Sequence, residues 1–203
     1  MVHTKGFQKL CMFAVLLAFI VPVFFALALT PSEERTQLEQ ELQALEQEIQ
    51  AVIDVMRSKN VTAGAKVREF ESFFGPYSVM VNSGSSANLL AVALLCNPQK
   101  TVHLNRGDEV IVSALSWSTT VWPWVQYGIV PVIVDIDPET LNIDPIEIEK
   151  AISPKTKAIM PVHVYGNPCE ILRIRDIANQ NDLWLVEDCC ESLGSDVGFY
   201  GDL

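Results

Sequence analysis

From residue 77 onward, short runs rich in Val, Ile and Leu alternate with longer segments of helical periodicity, and this alternation leaves few folds open. Strands are predicted at 77–81, 109–113, 130–134, 158–162 and 183–187, and helices at 86–96, 118–127, 145–152 and 170–180. Turn signals mark the breaks: Arg106-Gly107-Asp108, Gly128 and Asn167-Pro168. Strands separated by helices must be joined by crossovers, so the expected fold class is α/β, with a mostly parallel sheet covered on both faces. The chain carries neither a GxGxxG nor a GxxxxGK[ST] run, so it lacks the fingerprints of dinucleotide folds and P-loop nucleotide hydrolases.

Two segments precede this domain. Residues 11–29 carry no charge and follow Lys5 and Lys9, which predicts a transmembrane signal-anchor or a signal peptide over 1–30. Ala26-Leu27-Ala28 suits cleavage, whereas the length of the run suits retention. With only Arg35 close behind the run, the positive-inside rule places the remainder outside the cytoplasm. Over 31–59, Leu38, Leu42, Leu45, Ile49, Val52 and Met56 recur at spacings of four and three, the stripe of an amphipathic heptad helix. Glu39, Glu41, Glu46 and Glu48 flank that stripe, so a parallel self-paired coiled coil would set like charges together. The third region, 60–203, begins with a helix through Val67, Phe70 and Phe73-Phe74 that Gly75-Pro76 ends.

Charge narrows the function. A formal net charge of -11 argues against nucleic acid as a partner, because phosphate backbones are bound by clustered Lys and Arg. Cys11, Cys96, Cys169, Cys189 and Cys190 have no paired CxxC spacing, so neither a metal site nor a disulfide framework is expected.

Two predicted strand ends carry the chemistry. The run 79–81 ends in Asn82-Ser83-Gly84-Ser85-Ser86-Ala87-Asn88, small residues opening a helix, where free amides and the helix dipole attract a phosphate. The run 183–186 ends in Glu187-Asp188, a carboxylate in a partly buried place that calls for a cationic or hydrogen-bonding partner. Each has a plainer reading, as an ordinary helix cap. Together they suit a molecule with a phosphate at one end and a protonatable ring nitrogen at the other, such as pyridoxal phosphate (PLP) or its amine form (PMP). Trp117, just past the strand at 109–113, could stack on a flat ring, whereas Trp122 and Trp124 are expected in the core. Asp135 and Asp137 read as turn formers before Pro138, and His163 as a structural histidine.

Val81 through Leu90, Gly107 through Val112, Val134 through Asp144 and Val186-Glu187-Asp188-Cys189-Cys190-Glu191-Ser192-Leu193-Gly194 resemble, in order, the motifs of the DegT/DnrJ/EryC1/StrS family of PLP-dependent sugar aminotransferases. The resemblance runs from about residue 49 to 203 and implies part of the large domain of an aspartate-aminotransferase-type fold. It implies that Gly84, Ser85 and Ser86 form the phosphate turn, that Trp117 stacks on the cofactor ring and that Asp188 partners the pyridinium nitrogen. Glu191 falls where aminotransferases of the family carry Gln or His near the ring hydroxyl. That acidic residue, with Ser116-Trp117-Ser118-Thr119-Thr120, is similar to the C-3 dehydratase branch, which uses a His in place of the Schiff-base Lys. The family's catalytic Lys or His follows a Gly-Asp-Leu-like segment, so it is expected beyond Leu203, and no lysine follows Lys157. On this resemblance the substrate is a nucleotide-linked keto sugar, a complete member is a homodimer, the cofactor chemistry points to the cytosolic side, and the 203 residues alone are expected to be inactive. The competing expectation is a non-catalytic, membrane-anchored interaction protein whose heptad helix is the working surface.

Overall fold

Along β1 (Glu109–Ser113) every side chain after Glu109 is buried, and their alternation sorts two cores. The computed structural model describes residues 32–195 and residue 197. Val110 and Val112 pack with Val92, Trp124, Ala158 and Met160 on one face, and Ile111 packs with Ile143, Ile148, Ile159 and Ile174 on the other. Successive residues of a strand point to opposite faces, so a strand buried on both must be apolar at every position, as Val-Ile-Val is.

The sheet has the order β2-β1-β3-β4, with β2 at Val130–Val134, β3 at Thr156–Met160 and β4 at Trp184–Leu185, and all neighbours are parallel. β2 lies at an edge, where Pro131 removes no needed donor. Helices fill the crossovers: α4 (Ser118–Tyr127) between β1 and β2, α5 (Pro145–Ala151) between β2 and β3, α6 (Ile171–Gln180) between β3 and β4. From β1 the chain steps one way to β2, then reverses direction for both later steps. Right-handed crossovers that reverse direction must use the opposite face of the sheet. Accordingly Trp124 of α4 lies in the first core, with Val92 and Leu95 of α3 (Gly84–Leu95), while Ile148 of α5 and Ile174 and Ile177 of α6 lie in the second. The α/β class with a parallel sheet covered on both faces is therefore what the chain forms.

Most predicted elements form within a residue or two of their expected limits, and two expectations need correcting. Residues 77–81 are not a strand: Val79 and Met80 are exposed, and the Met80 amide donates to the Glu71 carboxylate at 2.8 Å rather than to a neighbouring strand. Trp122 is 56% exposed rather than in the core. The buried face of α4 is Thr120, Pro123 and Trp124, and residue 122 lies about 200° round the helix from Thr120, on the far side. Trp124 is fully buried, and its indole N–H donates to Met160 Sδ at 3.1 Å.

The chain divides into two compact units at Met80 and Val81. In the first, the heptad segment is one helix, α1 (Ser32–Ser58), stabilised by pairs one turn apart such as Arg35–Glu39 at 3.2 Å, with Val52 and Met56 of its stripe exposed. In α2 (Ala65–Phe74) the Phe70 and Phe73 rings meet that of Phe74. No helix among the described residues is long and apolar enough to cross a membrane, and the run at 11–29 lies outside them.

Ile111 is completely buried at the centre of the sheet, whereas Ile133 is 63% exposed on β2. Replacing Ile111 by Ala is expected to cost roughly 2–5 kcal/mol of stability in urea denaturation, by lost transfer energy plus a cavity. Ile133→Ala is expected to cost about 0.5 kcal/mol or less.

Candidate functional site

The reversal of direction between β1 and β3 opens a crevice beyond the carboxyl ends of the strands, because the chain leaving β1 turns to one face and the chain leaving β3 to the other. A cavity of about 580 Å³ lies there. Leu115, Ser116 and Trp117 line it from the loop after β1, Val162, Val164 and Tyr165 from the loop after β3, and Asp188, Cys190 and Glu191 from the segment after β4. Gly84 and Ser85 close it from the start of α3, and Thr120 reaches it from α4.

Asp188 is 4% exposed. It continues the sheet beyond β4, bridging in parallel to Val162 and donating its amide to the Pro161 carbonyl at 3.0 Å. Its Oδ2 accepts from Asn88 Nδ2 and from Thr120 Oγ1, each at 2.8 Å, and its Oδ1 accepts from the Cys190 amide at 3.2 Å. Burial by itself raises the pKa of such a carboxyl. The bonds from the Cys190 thiol, Thr120, Asn88 and the Cys190 amide outweigh it, so Asp188 sits below the usual aspartate value and is ionised at neutral pH. Desolvation, then the hydrogen bond to and charge of Asp188, push the Cys190 thiol up to about 11, so it remains a protonated donor. The alternative reading of Asp188 as the cap of a following helix does not apply, since the residues after it form turns.

At the start of α3, Ser83 is the N-cap: its hydroxyl accepts from the Ser86 amide at 3.2 Å and its carbonyl from the Ala87 amide at 3.0 Å. The first amides of a helix have no intrahelical acceptor, which leaves those of Gly84 and Ser85 for a ligand in the cavity they line. Gly84 leaves room for Cys190: a Cβ there would stand 2.5 Å from Cys190 Sγ, so the thiol that bonds Asp188 would have to shift. Ser86 belongs to the same turn but does not line the cavity, and its hydroxyl accepts from that of Ser83 at 3.3 Å. The turn is thus capped by Ser83 while Gly84 and Ser85 line the cavity.

Trp117 immediately precedes α4 and is 76% exposed at the cavity, so its ring face is available to a planar ligand. Glu191 also lines the cavity, and its Oε2 accepts from the Tyr165 amide at 2.7 Å. His163 is buried with both nitrogens engaged, Nδ1 accepting from the Cys169 amide at 3.0 Å and Nε2 facing Glu187 Oε2 at 3.1 Å, as a structural histidine should be. Asp137 accepts from the Glu139 amide at 2.7 Å in the turn after Pro138, and Asp135 from the Ile136 amide at 2.9 Å. Among the described residues no cluster of His, Cys, Asp and Glu could hold a metal ion.

Sequence reasoning missed Asn88 and Thr120 as site residues. A signal was present: Asn88 heads the buried row Asn88, Val92, Leu95 on α3, and Thr120 heads Thr120, Pro123, Trp124 on α4. A polar side chain on the apolar face of a helix needs a buried partner, and Asp188 is that partner for both.

A buried anionic floor, an amide-lined helix start and an exposed indole in one cavity can hold a molecule that is anionic at one end, flat, and cationic at the other. Comparison with known proteins agrees with this chemistry, since residues 43–198 match the DegT/DnrJ/EryC1/StrS aminotransferase family. The chain belongs to that family. A GDP-4-keto-6-deoxy-D-mannose 3-dehydratase of Yersinia pseudotuberculosis is 45% identical over 166 residues, covering 77% of this chain and 42% of the relative. A 3-oxo-glucose-6-phosphate:glutamate aminotransferase of Bacillus subtilis is 36% identical, covering 76% and 35%. Among solved structures, the Escherichia coli GDP-4-keto-6-deoxy-D-mannose-3-dehydratase with bound hydrated PLP superposes with a TM-score of 0.68 at 42% identity, covering 76% of this chain and 42% of that one. This member of the family thus spans about two-fifths of the length of the first relatives it matches.

Thr120→Val removes one donor from the Asp188 carboxylate while keeping the shape of the side chain. It is expected to destabilise the fold by roughly 1–3 kcal/mol at pH 7, the cost of leaving a buried acceptor short of a partner. The stability that the depressed Asp188 value confers is present above the ordinary aspartate value and is lost as pH falls through the lower folded one. The gap between wild type and Thr120→Val should therefore narrow below about pH 4, as read by urea denaturation across pH.

Proposed function

We propose that this chain builds the cofactor-holding face of a PLP- or PMP-dependent enzyme acting on a nucleotide-linked keto sugar, in the making of amino- or deoxysugars. The observation that carries the reading is Asp188: a buried, ionised carboxylate at the floor of a cleft whose other walls offer helix amides and an indole. In this reading Asp188 keeps a proton on the ring nitrogen, through a charge held in place by Asn88, Thr120 and Cys190. The amides of Gly84 and Ser85 and the hydroxyl of Ser85 take the phosphate, Ser86 supports the turn through its bonds with Ser83, and Trp117 covers the ring. Glu191 stands at the rim, in place of the Gln or His of aminotransferases, and with Ser116 through Thr120 it favours the C-3 dehydratase branch over simple amino transfer. A bound PLP or PMP supplies the electron sink that carbanion chemistry at the sugar requires.

The chain's own residues then bind, orient and tune the charge of that group. No lysine or histidine is among the described residues lining the cleft, so proton transfer at the reacting carbon is not assigned to any of them. A homodimer is the assembly this reading carries from the family.

Titrating PLP into the folded chain is expected to shift the cofactor's absorbance and raise the thermal midpoint, by about 2.7 kcal/mol of linkage at one hundred times Kd. Asp188→Asn, which removes the charge, and Trp117→Ala, which removes the stacking face, should each weaken binding about tenfold or more, on the order of 1.4 kcal/mol or above. Failure of a folded wild-type sample to bind either PLP or PMP would sink the reading.

A further inference from the structure

Tyr165 lies at φ 53° and ψ 28°, in the left-handed region, and Gly166 after it is also at positive φ, 80°. The two form the centre of a mirror-image turn, closed by the Asn167 amide donating to the Val164 carbonyl at 3.0 Å. Such turns favour glycine, asparagine or aspartate at both central places, because larger L side chains crowd their own backbone there. Gly166 obeys the rule, and a Cβ on it would come 3.3 Å from the Glu191 carbonyl oxygen. Tyr165 breaks it. Packing does not compensate, since the residue is 79% exposed.

The strained turn is held from outside. The Tyr165 amide donates to Glu191 Oε2 at 2.7 Å, and the Ser195 hydroxyl donates to the Gly166 carbonyl at 2.7 Å. A turn that asparagine would suit better, tethered twice and left bare, carries a tyrosine for the sake of its side chain, and Tyr165 lines the cleft. With the cofactor assigned to Gly84, Ser85, Trp117 and Asp188, this ring is left for the second ligand. A pyranose offers C–H faces that lie on an aromatic ring and hydroxyls that a phenol can bond.

We propose that Tyr165 is a substrate-positioning residue, an aromatic platform for the sugar ring of the nucleotide-linked substrate, and that Glu191 holds it in place through its backbone amide. The assignment rests on the function proposed above. The test titrates the full chain with PLP, then with GDP-mannose as the sugar probe, by calorimetry. Tyr165→Asn keeps a residue that tolerates the left-handed backbone and removes the ring. Its thermal midpoint should equal or exceed that of wild type and its PLP affinity should stay within about twofold, while GDP-mannose binds roughly tenfold more weakly. Tyr165→Phe should keep most of the sugar affinity. Glu191→Ala should lose sugar affinity as Tyr165→Asn does, and Glu191→Gln, which retains an acceptor for the Tyr165 amide, should recover it. Equal GDP-mannose affinity in wild type and Tyr165→Asn, or no GDP-mannose binding by a wild-type chain that holds PLP, overturns the proposal. A wild-type chain that fails to hold PLP overturns instead the function on which it rests.

Discussion

The Asp188 carboxylate is the interaction on which the second unit's geometry depends. One of its oxygens accepts from Asn88 on α3 and Thr120 on α4, and the other from the amide two residues along its own chain. A buried charge without donors costs several kcal/mol, so these elements are bound to one arrangement around it. What they carry is arranged with them. α3 begins with the open amides of Gly84 and Ser85, α4 begins just after Trp117, and the segment after Asp188 brings Cys190 against Gly84 and Glu191 to Tyr165. A network that holds a charge thereby also aligns three walls of a cavity.

That network could not form without the sheet beneath it. The crevice exists because the crossovers reverse direction between β1 and β3, and the two cores record the reversal by placing Trp124 on one face and Ile148 and Ile174 on the other. His163 secures the loop after β3 from below, with its Nδ1 accepting from the Cys169 amide and its Nε2 facing Glu187. A buried, fully partnered imidazole there leaves the next residues, Val164 through Asn167, to make the tight turn that presents Tyr165 to the cleft.

Much of this was legible one segment at a time. β1, β2 and α4 occupy their predicted residues because their patterns are local: an unbroken Val-Ile-Val run, a Pro-bearing edge, a helix ending at Gly128. Residues 77–81 have the same apolar character, but a strand exists only where a neighbouring strand meets its amides, and Met80 gives its amide to Glu71. Trp122 and Trp124 are alike in composition and two residues apart, yet helical phase exposes one and buries the other. Asn88 and Thr120 looked like parts of a motif, and their partner lay 100 and 68 residues away.

By itself the sequence determined the alternating α/β architecture, the family, and the helix start at Gly84–Ser86 and the strand end at Asp188 as candidate segments, because periodicity, caps and short motifs are encoded by neighbours in the chain. Only the tertiary structure decided that Gly84, Ser85 and Asp188 share one cavity, that Asp188 stays ionised when buried, and that Tyr165 is held in a strained turn facing the same space. Those properties depend on donors, acceptors and desolvation contributed by residues far apart in sequence, and no local pattern specifies which of them will meet.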